Sequence, residues 1–232
     1  MRSMDTFEIL TFDCYGTIVD WETGLWDTLR PILAAHGVEM DVEEALSHYG
    51  GFESEAEKGT YRSYRTVLAD VLDRFGVTCG FTPSDEERAR FAGSVGRWPP
   101  FPDSTEALMA LKKKFKLAIV SNVDDDLFAG TAKQLGIVFD RVVTAQQIRA
   151  YKPSPVMFAK AFEAIGTPRD RILHVAQSLY HDVGPASALG VSTVWIDRRQ
   201  GRGGTGATPP AEAKPDLTFP DLRSLALYAG VL

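Results

Sequence analysis

The segment ILTFDCYGT, residues 9–17, decides how the rest of this chain is interpreted. Its first four residues predict a short buried strand, and Asp13 follows directly, ahead of a Gly-Thr turn. Open α/β sheets hold their functional groups at the carboxyl ends of their strands. Asp13 is therefore a candidate nucleophile, although an aspartate at this point also fits a turn or the cap of a following helix.

Further along the chain, short apolar strands alternate with amphipathic helices. This alternation predicts an α/β fold with a Rossmann-like, doubly wound parallel sheet. One long helical region interrupts it after the first strand, so we interpret residues 20–97 as an inserted helical cap. The core then consists of residues 1–19 and 98–232. A run rich in Gly, Pro and Ala at residues 201–215 predicts an exposed loop.

Polar residues follow each of the main predicted strands. In chain order they are Asp13, Ser121, Asn122, Lys152, Ser178 and Asp182. Each of them alone also fits a helix cap or a surface charge. Because the carboxyl ends of parallel strands meet at one edge of a sheet, we expect these residues to form one site. His174 lies within a predicted strand and is expected to be a hydrogen-bonded core residue.

The composition excludes several classes of protein. The chain has 232 residues and a formal net charge of −6, which argues against a nucleic acid or an anionic membrane as partner. No apolar run reaches transmembrane length, and the N-terminal residues lack the order of a secretory signal, so a cytoplasmic location is expected. The two cysteines predict neither a disulfide framework nor a metal site. The aromatic-rich helical region is compatible with a homodimer.

Four segments in order carry a resemblance to a known family. They are FDCYGT at residues 12–17, VSN at 120–122, YKP at 151–153 and SLYHD at 178–182, and together they resemble the motifs of the haloacid dehalogenase superfamily. The resemblance extends over essentially the full chain. It implies a Rossmann-like core with an inserted helical cap. It also implies that Asp13 forms a covalent aspartyl intermediate, which water then cleaves.

Two positions separate the chemistries of that superfamily. Its phosphatases resemble one another in placing a second aspartate two residues after the nucleophile and in binding Mg²⁺ with acids near the fourth strand. This chain has Tyr15 and Gln177 at those positions, and neither residue supplies a carboxylate. The pattern favours the metal-free branch, which resembles type II (S)-2-haloacid dehalogenases. No cofactor is then expected, and Mg²⁺ is required only by the phosphatase alternative.

In that branch the resemblance implies attack by Asp13 on C2 of a small anionic organic acid, a 2-haloalkanoate, to yield a 2-hydroxy acid. Lys152 is expected to pair with Asp13 and to stabilise the ester oxyanion, Asp182 to activate water, and Ser121 to orient these groups. The candidate substrate-binding residues are Cys14, Tyr15, Thr17, Asn122, Arg62, Arg65 and Ser178. Asn122 and one of the two arginines are expected to receive the halide. Cys14 also fits a small core residue, and the arginines also fit an exposed helix face.

Departures from the dehalogenase pattern leave it undecided which group departs from the substrate. Phe158 stands where the best-known dehalogenases have a tyrosine, and Gln177 and Leu179 stand where they offer serine and asparagine. Residues 10–17 and 20–22 also resemble L-azetidine-2-carboxylate hydrolases, in which a ring nitrogen leaves instead of halide. The alternatives are therefore such a ring-opening hydrolase, a Mg²⁺-dependent small-molecule phosphatase, and a noncatalytic binding protein on the same scaffold.

Overall fold

The computed structural model describes residues 3–201 and 207–232 and contains a six-stranded sheet in which every strand pair is parallel. The strands are β1 (Ile9–Phe12), β2 (Lys116–Ser121), β3 (Arg141–Thr144), β4 (Ile172–Ala176), β5 (Ser192–Ile196) and β6 (Leu217–Phe219). Their order across the sheet is β3-β2-β1-β4-β5-β6. The predicted α/β fold with a parallel sheet is confirmed, and β6 is an additional edge strand.

Ten α-helices lie in the described part of the chain. They are α1 (Trp21–Ala35), α2 (Val42–Ala56), α3 (Tyr64–Cys79), α4 (Asp85–Ala92), α5 (Ser104–Leu111), α6 (Asp125–Leu135), α7 (Ala145–Ile148), α8 (Pro155–Ile165), α9 (Gly184–Ala188) and α10 (Leu222–Tyr228). One turn of π-helix, Leu179–Val183, precedes α9. None of the helices in residues 3–201 and 207–232 is long and apolar enough to cross a membrane.

Both faces of the sheet are covered by apolar side chains. In β2, Leu117 and Ile119 belong to one buried cluster, whereas Ala118 and Val120 belong to another. Successive strand residues point to opposite faces, so the two clusters lie on the two sides of the sheet. This arrangement explains why the central strands are continuously apolar.

Helices α1 to α4 form a helical block (residues 21–92) between β1 and β2. Asp124, just after β2, accepts hydrogen bonds from the backbone N–H groups of Tyr64 at 2.9 Å and Arg65 at 3.0 Å. These N–H groups begin α3 and have no partner within that helix. Asp124 is 3% exposed, so a buried carboxylate beside the sheet edge fixes the start of α3 over the carboxyl end of β2.

Residues 201–215 were predicted to form an exposed loop, and part of this segment is buried instead. Its residues 202–206 lie outside the described residues, whereas Ala207 and Thr208 are buried rather than exposed. Ala207 packs against Gly50 of α2, where an added Cβ would lie 2.6 Å from the Ala207 carbonyl oxygen. A glycine in the helix therefore allows this part of the loop to approach the helical block.

Candidate active site

Three charged side chains from separate parts of the chain meet at the carboxyl edge of the sheet. Asp13 follows β1, Lys152 follows α7, and Asp182 lies in the π-helical turn after β4. The Lys152 Nζ donates to Asp13 Oδ1 at 2.8 Å and to Asp182 Oδ1 at 2.8 Å. All three residues are buried. The structure therefore joins the predicted nucleophile, cation and second acid directly.

The ammonium group of Lys152 is fully coordinated. Its third hydrogen bond goes to the carbonyl oxygen of Val120 at 3.1 Å. Burial opposes its charge, but the carboxylates of Asp13 and Asp182 raise the pKa of Lys152 above its ordinary value. Burial raises the pKa of Asp13, and the Lys152 ammonium opposes that rise.

Thr17 holds the second oxygen of Asp13. Its hydroxyl donates to Asp13 Oδ2 at 2.6 Å and accepts from the backbone N–H of Gln177 at 2.8 Å. The turn between Asp13 and Thr17 contains Gly16 with φ of +92°, a conformation that favours glycine. The ends of β1 and β4 are thus linked through one hydroxyl. Thr17 was expected to bind substrate, but its hydroxyl orients the Asp13 carboxylate and it is not among the residues that line the cavity beside Asp13.

Asp182 is held by a second residue besides Lys152. The His174 Nε2 lies 2.9 Å from Asp182 Oδ1, and its Nδ1 lies 2.9 Å from the Thr11 hydroxyl. A neutral imidazole satisfies both contacts if Nε2–H donates to Asp182 and Nδ1 accepts from Thr11. Although burial acts to raise it, the pKa of Asp182 is lowered by Lys152 and His174. His174 is a hydrogen-bonded core residue, as predicted, and its partner is Asp182, the aspartate expected to activate water.

Asn122 and Ser121 occupy the end of β2. Asn122 accepts from the backbone N–H of Lys152 at 2.7 Å and donates to the carbonyl of Lys152 at 3.1 Å. The hydroxyl of Ser121 is fully buried and has no hydrogen-bond partner among the described residues. Asn122 therefore positions Lys152, and Ser121 remains able to bind a ligand.

These groups surround a cavity of about 40 Å³. Its lining residues are Asp13, Tyr15, Trp21, Glu53, Glu57, Tyr64, Ser121, Asn122, Lys152, Gln177, Ser178, His181, Asp182 and Thr208. An outer pocket of about 250 Å³ shares Glu57, Lys152 and His181 with the cavity. The outer pocket is also lined by Arg149, whose guanidinium lies 4.5 Å from the ring centroid of Tyr61. The cavity and this outer pocket are therefore adjacent and share these residues as part of their walls.

Tyr15 and Ser178 line the cavity as expected, but their hydroxyls make other contacts. The Tyr15 hydroxyl lies 3.0 Å from the hydroxyl of Thr131 on α6, and burial raises the pKa of Tyr15 well above its ordinary value. The Ser178 hydroxyl accepts from the backbone N–H of His181 at 2.8 Å and so caps the π-helical turn. Tyr15 is therefore not arranged as a proton donor beside Asp13.

The structure does not bring Cys14, Arg62 or Arg65 to the cavity. Cys14 is fully buried in the main apolar cluster, since its side chain points to the opposite face from Asp13. Arg62 pairs with Asp70 at 2.9 Å and also bonds the carbonyl of Ala56 at 2.8 Å. Arg65 pairs with Asp126 at 2.5 Å. Both arginines are therefore held by acids elsewhere, which corrects their expected position beside a halide.

Glu53 and Glu57 line the cavity and were not anticipated from the sequence. Glu53 is 7% exposed and accepts from the hydroxyls of Tyr49 at 2.8 Å and Tyr64 at 2.5 Å. A spacing of four residues places the two glutamates on one face of a helix. That spacing is also typical of a solvated helix face, so only the packing of α2 reveals their location.

Comparison with known proteins places this arrangement in a family. The model of the haloacid dehalogenase-like hydrolases matches residues 7–190. The chain is 27% identical over 201 residues to haloacetate dehalogenase H-2 of Moraxella sp. (strain B), covering 84% of this chain and 88% of that protein. It is 26% identical over 203 residues to (S)-2-haloacid dehalogenase 1 of Pseudomonas sp. (strain CBS-3), covering 84% and 86%.

Solved structures share the fold. The defluorinating L-2-haloacid dehalogenase Rha0230 superposes with a TM-score of 0.84 at 24% identity, covering 99% of each chain. The L-2-haloacid dehalogenase of Xanthobacter autotrophicus with chloropropionic acid covalently bound superposes with a TM-score of 0.79 at 22% identity, covering 95% of this chain and 97% of that one. At these identities the likeness concerns the fold.

Proposed function

The chain belongs to the haloacid dehalogenase-like hydrolases, and we propose that it hydrolyses small 2-substituted carboxylic acids without a metal, with (S)-2-haloacids as the leading substrates. One observation carries the proposal: the buried Lys152 ammonium bridges Asp13 and Asp182 at 2.8 Å each. That geometry suits a carboxylate that attacks carbon beside a cation and a second acid. The named activities of the relatives support the choice of haloacids.

In the first step an oxygen of Asp13 attacks C2 of the substrate opposite the leaving group. A bond forms between that oxygen and C2 while the bond from C2 to the halogen breaks, and the halide departs with the electron pair. Lys152 and Thr17 orient the attacking carboxylate through its two oxygens. Ser121, whose buried hydroxyl has no partner in the described part of the chain, is the candidate donor to the substrate carboxylate.

In the second step water attacks the carbonyl carbon of the Asp13 ester. The Lys152 ammonium stabilises the oxyanion that forms at the carbonyl oxygen. Asp182 accepts the proton of the water, because its Oδ2 is buried without a partner among the described residues while its Oδ1 is held by Lys152 and His174. The tetrahedral intermediate then collapses: the bond between the Asp13 carbonyl carbon and the substrate oxygen breaks, and the leaving alkoxide takes the proton from Asp182. Asp13 is regenerated as a carboxylate with loss of a proton to solvent, and the product is a 2-hydroxy acid with inverted configuration at C2.

The residues present do not fit the Mg²⁺ site of the phosphatase alternative. Tyr15 contacts Thr131, and Gln177 carries an amide rather than a carboxylate. In residues 3–201 and 207–232, no group of three or more His, Cys, Asp or Glu side chains could hold a metal ion. The space between Asp13 and Asp182 is bridged by an ammonium group instead. The proposed reaction therefore contains no metal-dependent step.

Ring opening of L-azetidine-2-carboxylate uses the same attack on C2. The bond from C2 to nitrogen breaks, and the electron pair stays on nitrogen. The two reactions differ only in the leaving group, which is a halide in one and the ring nitrogen in the other. The helical-block residues that line the cavity affect which of these leaving groups is favoured.

The test measures chloride release from (S)-2-chloropropionate with and without EDTA. We expect equal rates in both conditions and none from Asp13→Asn. Asp85→Asn, at a fully exposed aspartate of α4, is the control and should match the parent protein. A single turnover in heavy-oxygen water should place the label in Asp13 before it appears in the product. Activity in Asp13→Asn, or phosphate release from phosphate esters that EDTA abolishes, would contradict the proposal.

A further inference from the structure

Two acids of the helical block line the same cavity as the nucleophile. Glu53 lies in the last turn of α2, and Glu57 is the residue that caps its C-terminus. Both line the cavity together with Asp13 and Asp182. Four carboxylates thus border a space of about 40 Å³.

The described residues that line this cavity supply little positive charge for the two glutamates. Lys152 is the one lysine or arginine among them, and its ammonium bonds Asp13 and Asp182. Burial lowers the pKa of His181 to about 4, so its ring is neutral near pH 7. No salt bridge within the described ranges involves Glu53 or Glu57. Glu53 is buried and Glu57 is partly buried, and buried acids in other proteins are usually paired with cations.

The surrounding structure nevertheless holds both glutamates in place. Tyr49 and Tyr64 donate to Glu53. Glu57 is contacted by the Asn122 amide at 3.4 Å, and that amide makes a shorter bond, 3.1 Å, to the Lys152 carbonyl. Glu57 therefore keeps accepting capacity toward the cavity. Burial raises the pKa of both glutamates, and the charge of Glu53 adds to the rise at Glu57.

Ser121 provides independent evidence for a ligand in this cavity. Its hydroxyl is fully buried on the sheet side, lines the cavity, and has no partner among the described residues. Buried hydroxyls are almost always paired. A carboxylic acid whose carboxylate binds Ser121 would direct its remaining atoms toward the helical block, where Glu53 and Glu57 lie.

We propose that Glu53 and Glu57 form a subsite for a protonated amino group of the substrate, an inference that rests on the proposed function. Among the proposed 2-substituted carboxylic acids, the subsite then favours those that also carry a basic nitrogen, either on the side chain of a 2-haloacid or in a strained ring from which the nitrogen leaves. Glu57 accepts a hydrogen bond from the ammonium directly, and the bound cation favours the ionised form of both Glu57 and the neighbouring Glu53. The pair disfavours a departing halide at this position, because like charges repel.

Binding to the Asp13→Asn variant separates recognition from turnover, since this variant cannot form the ester. Calorimetry compares L-azetidine-2-carboxylate with cyclobutanecarboxylate, which has a four-membered ring and a carboxylate but no nitrogen. We expect the nitrogen-containing acid to bind about tenfold more tightly, as for one hydrogen bond to a charged group. Adding Glu57→Gln should remove the preference. Adding Glu55→Gln, at an exposed glutamate of the same helix, should retain it.

Equal affinity for the two acids, no binding of either acid, or a preference that survives Glu57→Gln would overturn the subsite. Thermal unfolding of each variant shows that it is folded, and Glu53→Gln provides a second test at the buried position. Failure of the proposed function has a different signature. A protein that releases chloride through Asp13 but binds both cyclic acids equally loses the subsite and keeps the proposed function. A protein that prefers the nitrogen-containing acid but forms no ester on Asp13 keeps the subsite and loses the proposed function.

Discussion

Asn122 binds the backbone of Lys152 at both of its polar groups, accepting from the N–H at 2.7 Å and donating to the carbonyl at 3.1 Å. The side chain at the end of β2 therefore determines where the catalytic ammonium lies. This relationship gives Asn122 a positioning role that does not require contact with a leaving group.

Asn122→Ala should lower kcat by about 100-fold, the loss expected when a reacting group moves by an ångström or so. The free energy of unfolding should fall by about 1–2 kcal/mol, because buried backbone groups of Lys152 lose a partner. The distinguishing measurement is product inhibition by chloride. Unchanged inhibition supports positioning through Lys152, whereas weakened inhibition would show that Asn122 receives the halide itself.

Lys152→Met should abolish turnover and lower the free energy of unfolding by about 3–5 kcal/mol, since it leaves two buried carboxylates without their cation. Urea denaturation and chloride release measure the two effects. Lys160→Met, at an exposed lysine of α8, is the matched control and should leave both unchanged. Full stability in the Lys152 variant would mean that Asp13 and Asp182 are not held as a charged pair.

The acid limb of kcat/KM should report Asp13. Protonation removes the nucleophile, so activity falls as pH decreases through its pKa, and burial raises that pKa above the ordinary value of 3.8. Lys152 adds no alkaline limb below 10.5, because its pKa is raised above that value. The pH profile of kcat/KM should show the acid limb in the parent protein and also in the Glu57→Gln variant. A flat profile down to pH 3.8 would contradict the raised pKa of Asp13.

His174→Phe should keep an aromatic ring at this position but remove the hydrogen bonds to Asp182 and Thr11. We expect a stability loss of about 2–3 kcal/mol from the buried groups left unpaired. Hydrolysis of the ester should slow more than its formation, because Asp182 acts in the second step. Rapid-quench mass spectrometry should then show ester accumulating on Asp13. Equal slowing of both steps would assign His174 a structural role only.

Arg62→Ala and Arg65→Ala should retain turnover within about threefold, because surface ion pairs contribute little. Each arginine is paired with an aspartate outside the cavity. Chloride release and halide inhibition are measured for both variants. A large loss of halide affinity in either one would place that arginine in the reacting site after all.

The sequence predicted that Asp13, Lys152 and Asp182 would lie at one edge of the sheet, and the structure brings the three side chains together there. Asp13 directly follows β1, and Lys152 and Asp182 lie in the segments that follow β3 and β4. The carboxyl ends of parallel strands lie at the same edge of a sheet, so these segments were expected to meet. The site residues contributed by the helical block were harder to predict, because the residues that a helix presents to the site depend on how the helix packs. For that reason Arg62 and Arg65 were expected near the substrate, while Glu53 and Glu57 were not anticipated.

The remaining differences between prediction and structure arise from the shortness of one strand and the composition of one loop. β6 has three residues, Leu217–Phe219, too few for a periodic pattern to appear. Ala207 and Thr208 belong to a Gly- and Pro-rich run that is typical of exposed loops, yet they are buried. Their burial depends on Gly50, more than a hundred residues earlier in the chain, which leaves room for Ala207.

The net charge of the trio formed by Asp13, Lys152 and Asp182 changes during a catalytic cycle. With both acids ionised, the resting trio carries one excess negative charge in a buried setting. Esterification neutralises Asp13 and leaves Lys152 and Asp182 as a balanced pair. The covalent intermediate is thus the electrically neutral form of the trio. Part of the driving force for attack on carbon then comes from relieving a charge that the empty protein has to keep out of water.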